Sequence, residues 1–358
     1  MNKLFARRIL ILMVTSFLFS SVTFSQFDKF DFLKSSTSDG VKFLEAYMAP
    51  WINAFGAGLN GGWYNTAKPH KLGGFDVTAG LNVGFVPSSA ETFDLSTLGL
   101  STNINPKTGT PPTIAGPDEN GPVMTYSDGV YTLATFNTPP GIAWKYIPVP
   151  TAQVGIGLPL GTEIKGRFIP RLRLDRENFQ GDIMLWGIGL MHSIMQYIPG
   201  NDLLPFDASV FAGYTRLNGN VSINLQPPSF TDYSPTYNIN SFSDQNLSAT
   251  VTALNVSAIG SVNLAVITFY GGLGYTKTST ILKLTGNYPT PVLVGTSPVY
   301  NDSGVKKGES FGEMNVENFS GLRANIGFRL KLAVVTIHAD YTRAQYNVVS
   351  TGLGISFR

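Results

Sequence analysis

The chain has 358 residues, of which 43% are hydrophobic and only 13% are charged, and its formal net charge at pH 7 is +2. Charged residues make up about a quarter of a soluble globular chain, so this composition favours a membrane β-barrel instead. The absence of cysteine excludes disulfides, thiol catalysis and zinc–thiolate sites, and the near-neutral charge argues against a nucleic-acid partner. No stretch after residue 25 is apolar for 18 residues, which excludes a helical membrane protein.

Residues 1–25 are predicted to form a cleavable secretory signal. Basic residues come first, and an apolar core follows at residues 9–19. This core is too short to span a membrane comfortably, and small residues precede the expected cleavage site before Gln26. The sequence therefore predicts an exported protein.

Residues 26–72 are predicted to form a plug that contains one helix. Residues 38–52 carry an apolar helical stripe, and Pro50 is expected to distort or end this helix. The following residues 54–71 are rich in Gly and Asn and show no sustained alternation. They are predicted to form a tightly turned segment inside a barrel rather than a wall strand.

The clearest β-pattern is Phe75–Phe85, where apolar residues alternate strictly with polar or small ones. Eleven residues of this pattern are enough for a tilted strand to cross a bilayer. Similar patterns recur almost to the last residue, with a bulge expected at Ala253–Leu254. The further predicted strands are residues 153–158, 163–175, 181–197, 206–217, 247–259, 262–284, 322–332, 335–342 and 349–357.

The lengths of the connections predict the topology of the barrel, residues 73–358. Long connections at residues 87–151, 226–246 and 285–315 are expected outside the cell, and the short ones at the periplasm. Ten strands are clear, and residues 123–136 could add a hairpin. The fold class is therefore an all-β, closed antiparallel transmembrane barrel of about 12 strands, with 10 to 14 left open, since such barrels have even strand numbers.

Charged side chains on the polar parity of the strands are predicted to point into the lumen, because a charge facing lipid would cost about 2–4 kcal/mol near mid-bilayer. A basic wall could hold a carboxylate head group, but paired acids and bases could equally fill a polar interior. The predicted lumen charges are Lys165, Arg167, Arg171, Arg173, Arg323, Arg329, Lys331, His338 and Asp340.

The signal, the alternating strands and the final Phe357, followed by Arg358, together resemble outer-membrane barrels of Gram-negative bacteria. A narrower resemblance is to FadL-like channels for long-chain fatty acids and hydrocarbons. Those have a Tyr-Asn-Pro-Ala-type motif in a hatch before the first strand. Here the sequence Gly-Gly-Trp-Tyr-Asn-Thr-Ala occupies that place, with Thr66 where the channels have Pro. The chain also resembles an uncharacterised outer-membrane family with a Trp-Tyr-Asn-Thr-Ala-Lys-Pro-His hatch.

The plug offers the candidate ligand-binding or gating residues, although simple packing of the plug against the wall would explain the same stripe. These residues are Phe43, Tyr47, Met48, Trp51, Trp63 and Tyr64. Enzyme function is not expected: His192 and Ser193 are adjacent and would face opposite sides of a strand, and no GxSxG motif is present. No catalytic residue, metal or cofactor is predicted.

Two functions from different classes follow from these observations. The first is a plugged outer-membrane channel that passively transports small hydrophobic or amphipathic molecules. The alternative is a non-transporting interaction protein that binds a partner through its outer loops. In either case the expected partners are the lipid bilayer and the outer-membrane assembly machinery, with a hydrophobic small molecule for the channel and no nucleic acid.

Overall fold

The computed structural model describes residues 37–127, 129–176, 179–200, 204–226, 238–295, 297–299, 302–316 and 319–357. The predicted signal segment, the expected mature N-terminus and Arg358 lie outside these ranges. Among the described residues, no helix is both long enough and apolar enough to cross a membrane.

The helix, α1, spans Thr37–Asn60 and is longer than the sequence pattern predicts. It continues through Pro50, although proline removes one helical hydrogen bond. Packing against surrounding strands overrides this local preference, as tertiary contacts commonly do. The prediction that residues 54–71 form only a turned segment is therefore wrong for residues 54–60.

Ten long strands form the wall of the barrel. They are β1 (Phe75–Phe85), β2 (Tyr146–Leu158), β3 (Thr162–Arg176), β4 (Phe179–Ser193), β5 (Phe206–Ser222), β6 (Asn246–Leu264), β7 (Ile267–Thr285), β8 (Ser320–Leu332), β9 (Val335–Arg343) and β10 (Val348–Phe357). Each strand pairs antiparallel with its neighbours, and β10 pairs with β1 from Phe357 opposite Phe75, which closes the ring. The wall therefore has ten strands, and the estimate of about twelve is wrong.

The error in the strand count has a structural cause. The predicted hairpin forms two short strands, Val123–Ser127 and Thr132–Asn137, which pair with each other. Val123–Ser127 also pairs with Ile104–Asn105, so the three strands form a separate sheet outside the wall. One further strand belongs to the same sheet as the ten wall strands. This short strand, Glu313–Val316, pairs with the upper end of β7. The remaining short strands lie in the third long connection and are Asn287–Pro289, Val292–Val294, Ser297–Val299 and Val305–Lys307.

The two ends of the barrel differ, as the connection lengths predict. Residues 86–145, 223–245 and 286–319 connect strands at one end, which we call the long-loop end. The connections of residues 159–161, 265–266 and 333–334 lie at the other end, the short-turn end, together with Phe75 and Phe357.

The outer face of the wall is apolar, and many of the residues that the wall encloses are polar or charged, unlike the core of a soluble protein. On β1, Asp76, Thr78 and Asn82 are buried, whereas Phe75 and Val77 are exposed. The same arrangement recurs on β9, where Thr336, His338 and Asp340 are buried between exposed apolar residues. The enclosed polar residues therefore face α1 and the segment that follows it.

The wall contains a β-bulge in β3, which the sequence did not predict, and lacks the bulge that was predicted in β6. The register of β3 against β4 shifts between Ile169 and Leu172, so β3 contains a bulge. The bulge predicted at Ala253–Leu254 in β6 is wrong, because the register of β6 is continuous with both neighbours. The inward face of β6 simply changes from apolar residues beside α1 to polar residues below it.

Candidate functional site

The lower end of α1 is held by two arginines of the wall. Arg167 Nη1 donates to the carbonyl oxygen of Leu59 at 2.8 Å, and Nη2 donates to that of Gly61 at 2.7 Å. Arg323 Nη1 donates to the carbonyl oxygen of Asn60 at 2.7 Å. The last carbonyl oxygens of a helix have no partner within the helix and carry partial negative charge, so cations stabilise this end. Two lumen arginines are therefore occupied by the plug.

Below α1, aromatic side chains of the plug fill the barrel. The guanidinium carbon of Arg167 lies 3.7 Å from the ring centroid of Trp63, in cation–π geometry. Tyr64 packs against Phe211 and Tyr270, with ring centroids 5.4 and 6.4 Å away. The Tyr64 hydroxyl also donates to Oδ1 of Asn325 at 2.7 Å. This level of the lumen is thus closed by direct contacts between plug and wall.

A buried ionic cluster holds the plug at the short-turn end. The main-chain N and the Nδ1 atom of His70 each lie 2.9 Å from Oε2 of Glu163. Lys165 contacts Glu163 and lies 3.6 Å from Asp76, and all three side chains are buried. His70 Nε2 lies 3.0 Å from the hydroxyl of Ser356 on β10. The carboxylate of Glu163 on β3 thus binds both His70 of the plug and the buried Lys165.

The same cluster includes three groups that could bind a metal ion: His70, Asp76 and Glu163 each place a donor atom within 4.8 Å of the others. The ammonium of Lys165, however, already neutralises Glu163 and lies beside Asp76. A divalent cation at this position would be repelled by that ammonium. We therefore interpret the cluster as an ion-pair lock of the plug.

The upper half of α1 lies under the long connections. Phe43 makes an edge contact with Phe136, with centroids 6.1 Å apart, and the Tyr47 hydroxyl donates to the carbonyl oxygen of Pro140 at 2.9 Å. Burial raises the pKa of Tyr47, so its hydroxyl stays a donor. Other loop residues in this apolar cluster are Leu95, Leu100, Ile104, Met124, Leu225, Tyr288, Phe311 and Met314.

The predicted plug residues do not form one pocket. Phe43, Tyr47 and Met48 belong to the cluster beneath the loops, whereas Trp63 and Tyr64 belong to a separate cluster deeper in the barrel. Trp51 lies in a third cluster and makes an edge contact with Trp144, with centroids 5.8 Å apart. The six candidate residues therefore lie in three separate clusters.

The structure encloses most of the predicted lumen charges. Those buried inside the wall are Lys165, Arg167, Arg323, Arg329, His338 and Asp340. Lys331 is half-buried at the short-turn end, 3.5 Å from Ser356.

The prediction is wrong for Arg171 and Arg173. The bulge in β3 brings Leu172 opposite Ile183, whose side chain packs against the apolar cluster inside the barrel. Both arginines therefore take the outward parity, and both are exposed.

Little free space remains between the plug and the wall. A cavity lined by Ala57, Arg323 and Tyr346, among others, has a volume of about 10 Å³. That is room for roughly one water molecule. At this position the space between the plug and the wall is therefore no larger than one water molecule.

Three glycines on α1 and β1 allow this close approach. A Cβ atom on Gly84 of β1 would lie 2.1 Å from the carbonyl oxygen of Ala54, and a Cβ on Gly56 or Gly58 would meet wall side chains. Gly84→Ala should therefore push α1 away from β1 and lower the free energy of unfolding by about 1–3 kcal/mol. Urea unfolding in vesicles measures this change. Gly166→Ala is the control, since its Cβ would meet nothing within 4 Å; equal stability losses in both variants would contradict the prediction.

Sequence reasoning did not single out several residues of the site. The sequence pattern does indicate the position of Asp76, because this residue lies on the polar parity of β1 and so must face inward. No local pattern indicates the role of His70, because its partner Glu163 lies 93 residues away in the chain. Tyr270 and Asn325 were equally hidden by their distance from Tyr64 in sequence.

Comparisons with known proteins give a family and distant structural similarity. The model of a family of unknown function, DUF6588, matches residues 1–357. No curated protein matches the sequence.

Three solved structures illustrate the structural similarity. The translocator domain of the autotransporter NalP from Neisseria meningitidis is 12% identical, with a TM-score of 0.30, over 86% of this chain and 93% of that one. Ail, the attachment invasion locus protein of Yersinia pestis, is 8% identical, with a TM-score of 0.25, over 80% and 99%. The outer membrane protease OmpT from Escherichia coli is 7% identical, with a TM-score of 0.31, over 79% and 97%. Similarity this low carries no argument about function.

Proposed function

Since the chain belongs to DUF6588, a family of unknown function, we propose a function from its own geometry: an outer-membrane barrel, sealed by its N-terminal plug, that acts as an interaction protein through its outer loops. The proposal needs neither catalysis nor a cofactor. The single observation that carries it is the use of the lumen arginines. Arg167 and Arg323 donate to the end of α1, so neither offers a free cationic site for a passing solute.

The inverted wall supports the membrane placement. Large apolar side chains are exposed around the whole outer surface, while the enclosed face is polar. Exposed apolar patches larger than a few hundred Å² mark contact with a membrane or a partner. Antiparallel closed barrels of this kind satisfy every backbone group of the wall, which a membrane requires.

The energy needed to remove the plug supports a sealed state. Withdrawing it would break the three arginine bonds, the Tyr64–Asn325 bond and the His70–Glu163 pair together. Buried hydrogen bonds contribute about 1–3 kcal/mol each, so withdrawal would cost about 10 kcal/mol. Fewer than about one molecule in 10⁷ would be open without an energy source.

The loops supply a folded surface on the outside. Ser101 donates from its main-chain N to Asp39 at 2.9 Å, and the main-chain N of Ile114 donates to the carbonyl oxygen of Tyr47 at 3.0 Å. The hairpin of Val123–Ser127 and Thr132–Asn137 rises from this base, and Val130 at its tip is 81% exposed. A rigid support with an exposed apolar tip suits recognition of a protein partner.

Permeation tests the sealed state directly. Vesicles that carry the purified barrel should admit neither a labelled long-chain carboxylic acid nor a small sugar. Passage of the sugar would contradict the sealed state, and passage of the acid alone would favour the channel.

Photo-cross-linking tests the interaction surface. A cross-linking residue at Val130 should give a discrete protein adduct in intact cells, whereas one at Leu273, which is 70% exposed on the outward face of β7, should give lipid adducts only. Deleting residues 101–121 is a poorer test, because Ser101 and Ile114 hold the plug. Failure to obtain an adduct at Val130 would contradict this role of the tip.

The channel for hydrophobic molecules is the second candidate, by fold analogy with FadL-like channels. The observation favouring it is the apolar packing of Phe43 and Met48 under the loops, which a hydrophobic solute could replace. Trp51→Ala and Trp63→Ala should then change uptake of the labelled acid without preventing assembly. Unchanged uptake would exclude this mechanism.

A further inference from the structure

Basic side chains on the outside of the wall are confined to one end. Along the described strands, the outward-facing Lys and Arg residues all lie toward the long-loop end. One of them, Lys283, pairs with Glu313. We call the others the basic collar; they lie on β3, β5, β7 and β9 and are Arg171, Arg173, Arg216, Lys277 and Arg343.

The outward direction of these side chains follows from their buried neighbours. Arg216 lies between Thr215 and Leu217, and both of those face inward and are buried. Lys277 likewise lies between two buried threonines, and Arg343 follows the buried Thr342. On β3 the bulge turns Arg171 and Arg173 outward in the same way. The collar is therefore a feature of the outer surface, separate from the arginines that hold the plug.

The collar residues lie at a common height. Arg216 is ten residues from the start of β5 at Phe206, and Lys277 is ten residues from the start of β7 at Ile267. Ten strand residues tilted by about 40° rise about 25 Å, which is the height of the apolar band of a membrane barrel. Arg343 ends β9, eight residues above its start. The collar thus lies at the upper boundary of the band.

Aromatic residues lie beside the collar or directly below it. Trp186 pairs with Arg216 in the ladder between β4 and β5, and Tyr275 precedes Lys277 by two residues on the same face. Tyr341 precedes Arg343 in the same way. Aromatic side chains mark the level of the lipid head groups. Basic residues just above them are therefore at the level of lipid phosphates.

Among the described residues, one collar residue has a counter-ion. Arg171 pairs with Asp182 at 3.5 Å. The other four residues form no ion pair with any residue that the structure describes. The opposite end of the outer wall carries no Lys or Arg along the described strands. Along the described strands the positive charge is therefore asymmetric and only partly compensated, which favours an anionic partner on one side of the membrane.

We propose that the basic collar binds the phosphate groups of the phosphorylated glycolipid in the outer leaflet. This inference rests on the membrane placement proposed above, in which the long-loop end faces outward. Guanidinium and ammonium groups donate charge-assisted hydrogen bonds to phosphate oxygens. Such binding fixes the depth and direction of the barrel and surrounds the loops with glycolipid.

The test measures binding of fluorescent bis-phosphorylated lipid A to the purified full-length barrel in detergent, with dephosphorylated lipid A as the comparison. The test variant combines Arg216→Gln, Lys277→Gln and Arg343→Gln. Each basic residue near an anionic surface contributes about fivefold, so we expect binding about 100-fold weaker. The control combines Lys68→Gln, Lys71→Gln and Lys107→Gln, which removes the same charge from exposed positions outside the collar. Its affinity should equal that of the wild type.

Wild-type affinity in the collar variant, or equal losses in both variants, would overturn the proposal. So would equal binding of the phosphorylated and dephosphorylated lipids. Co-flotation of each variant with vesicles distinguishes failure of the collar proposal from failure of the membrane placement. A barrel that floats with vesicles but lacks phosphate preference contradicts only the collar, whereas one that does not float contradicts the placement itself.

Discussion

Replacing Arg167 by methionine is expected to lower the free energy of unfolding by about 3–5 kcal/mol and to give the barrel a measurable ion conductance. The substitution keeps an apolar side chain of similar length in the buried site. It removes the donor to the carbonyl oxygen of Leu59, leaves that of Gly61 with only the longer bond from Asn82 at 3.3 Å, and removes the cation–π contact with Trp63. Urea unfolding in vesicles and single-barrel recording in planar bilayers measure the two effects.

The matched control is Lys307→Met, in the third long connection. That lysine is exposed and lies on a short strand outside the wall, so its loss should change stability by less than about 0.5 kcal/mol and leave the conductance at its wild-type level. If Arg167→Met were as stable and as tightly closed as the control, the bonds to α1 would not be what seals the lumen.

Replacing Glu163 by alanine is expected to cost about 3–5 kcal/mol of unfolding free energy, because it breaks a buried ion pair and leaves Lys165 with only the more distant carboxylate of Asp76, 3.6 Å away. Glu163 is 1% exposed and Lys165 is 5% exposed, so water cannot take over the role of the carboxylate. The change also removes the carboxylate that contacts the main-chain N and the Nδ1 atom of His70. Urea unfolding again measures the loss.

A double variant separates the two causes. Adding Lys165→Met to Glu163→Ala removes the buried ammonium group that has lost its closest carboxylate. This second change should restore about 1–3 kcal/mol of unfolding free energy, and the remaining loss reflects the bonds to His70. Asp182→Ala breaks the exposed pair with Arg171 and should cost less than about 1 kcal/mol. Absence of any recovery in the double variant would show that the ion pair does not lock the plug.

The class of the fold follows from the sequence alone. A strict period of two can be satisfied only by a strand with two different faces, and Phe75–Phe85 sets the parity that the structure retains. Few charges and recurrent alternation predict a wall that is apolar outside, and the long and short connections separate its two ends. The inward burial of Arg167, Arg323 and Asp340 also follows from parity.

The local sequence pattern gave wrong predictions where contacts between residues distant in sequence determine the structure. Along β6 the inward residues change from Val251 and Ala253 to Asn255 and Ser257, because the plug changes from helix to polar loop beside them. This change resembles a bulge in the sequence. The true bulge, in β3, is hidden because Arg171 and Arg173 continue the expected alternation of charges.

What the sequence determined by itself is therefore the alternating wall, its polarity and the presence of a plug. What only the tertiary structure decided is the length of α1, the ten-strand closure, and the partners of each buried charge. The physical reason is range: alternation and capping act within a few residues, whereas Arg167 reaches Leu59 across 108 residues and Arg323 reaches Asn60 across 263. Such contacts exist only once the barrel has closed around its plug.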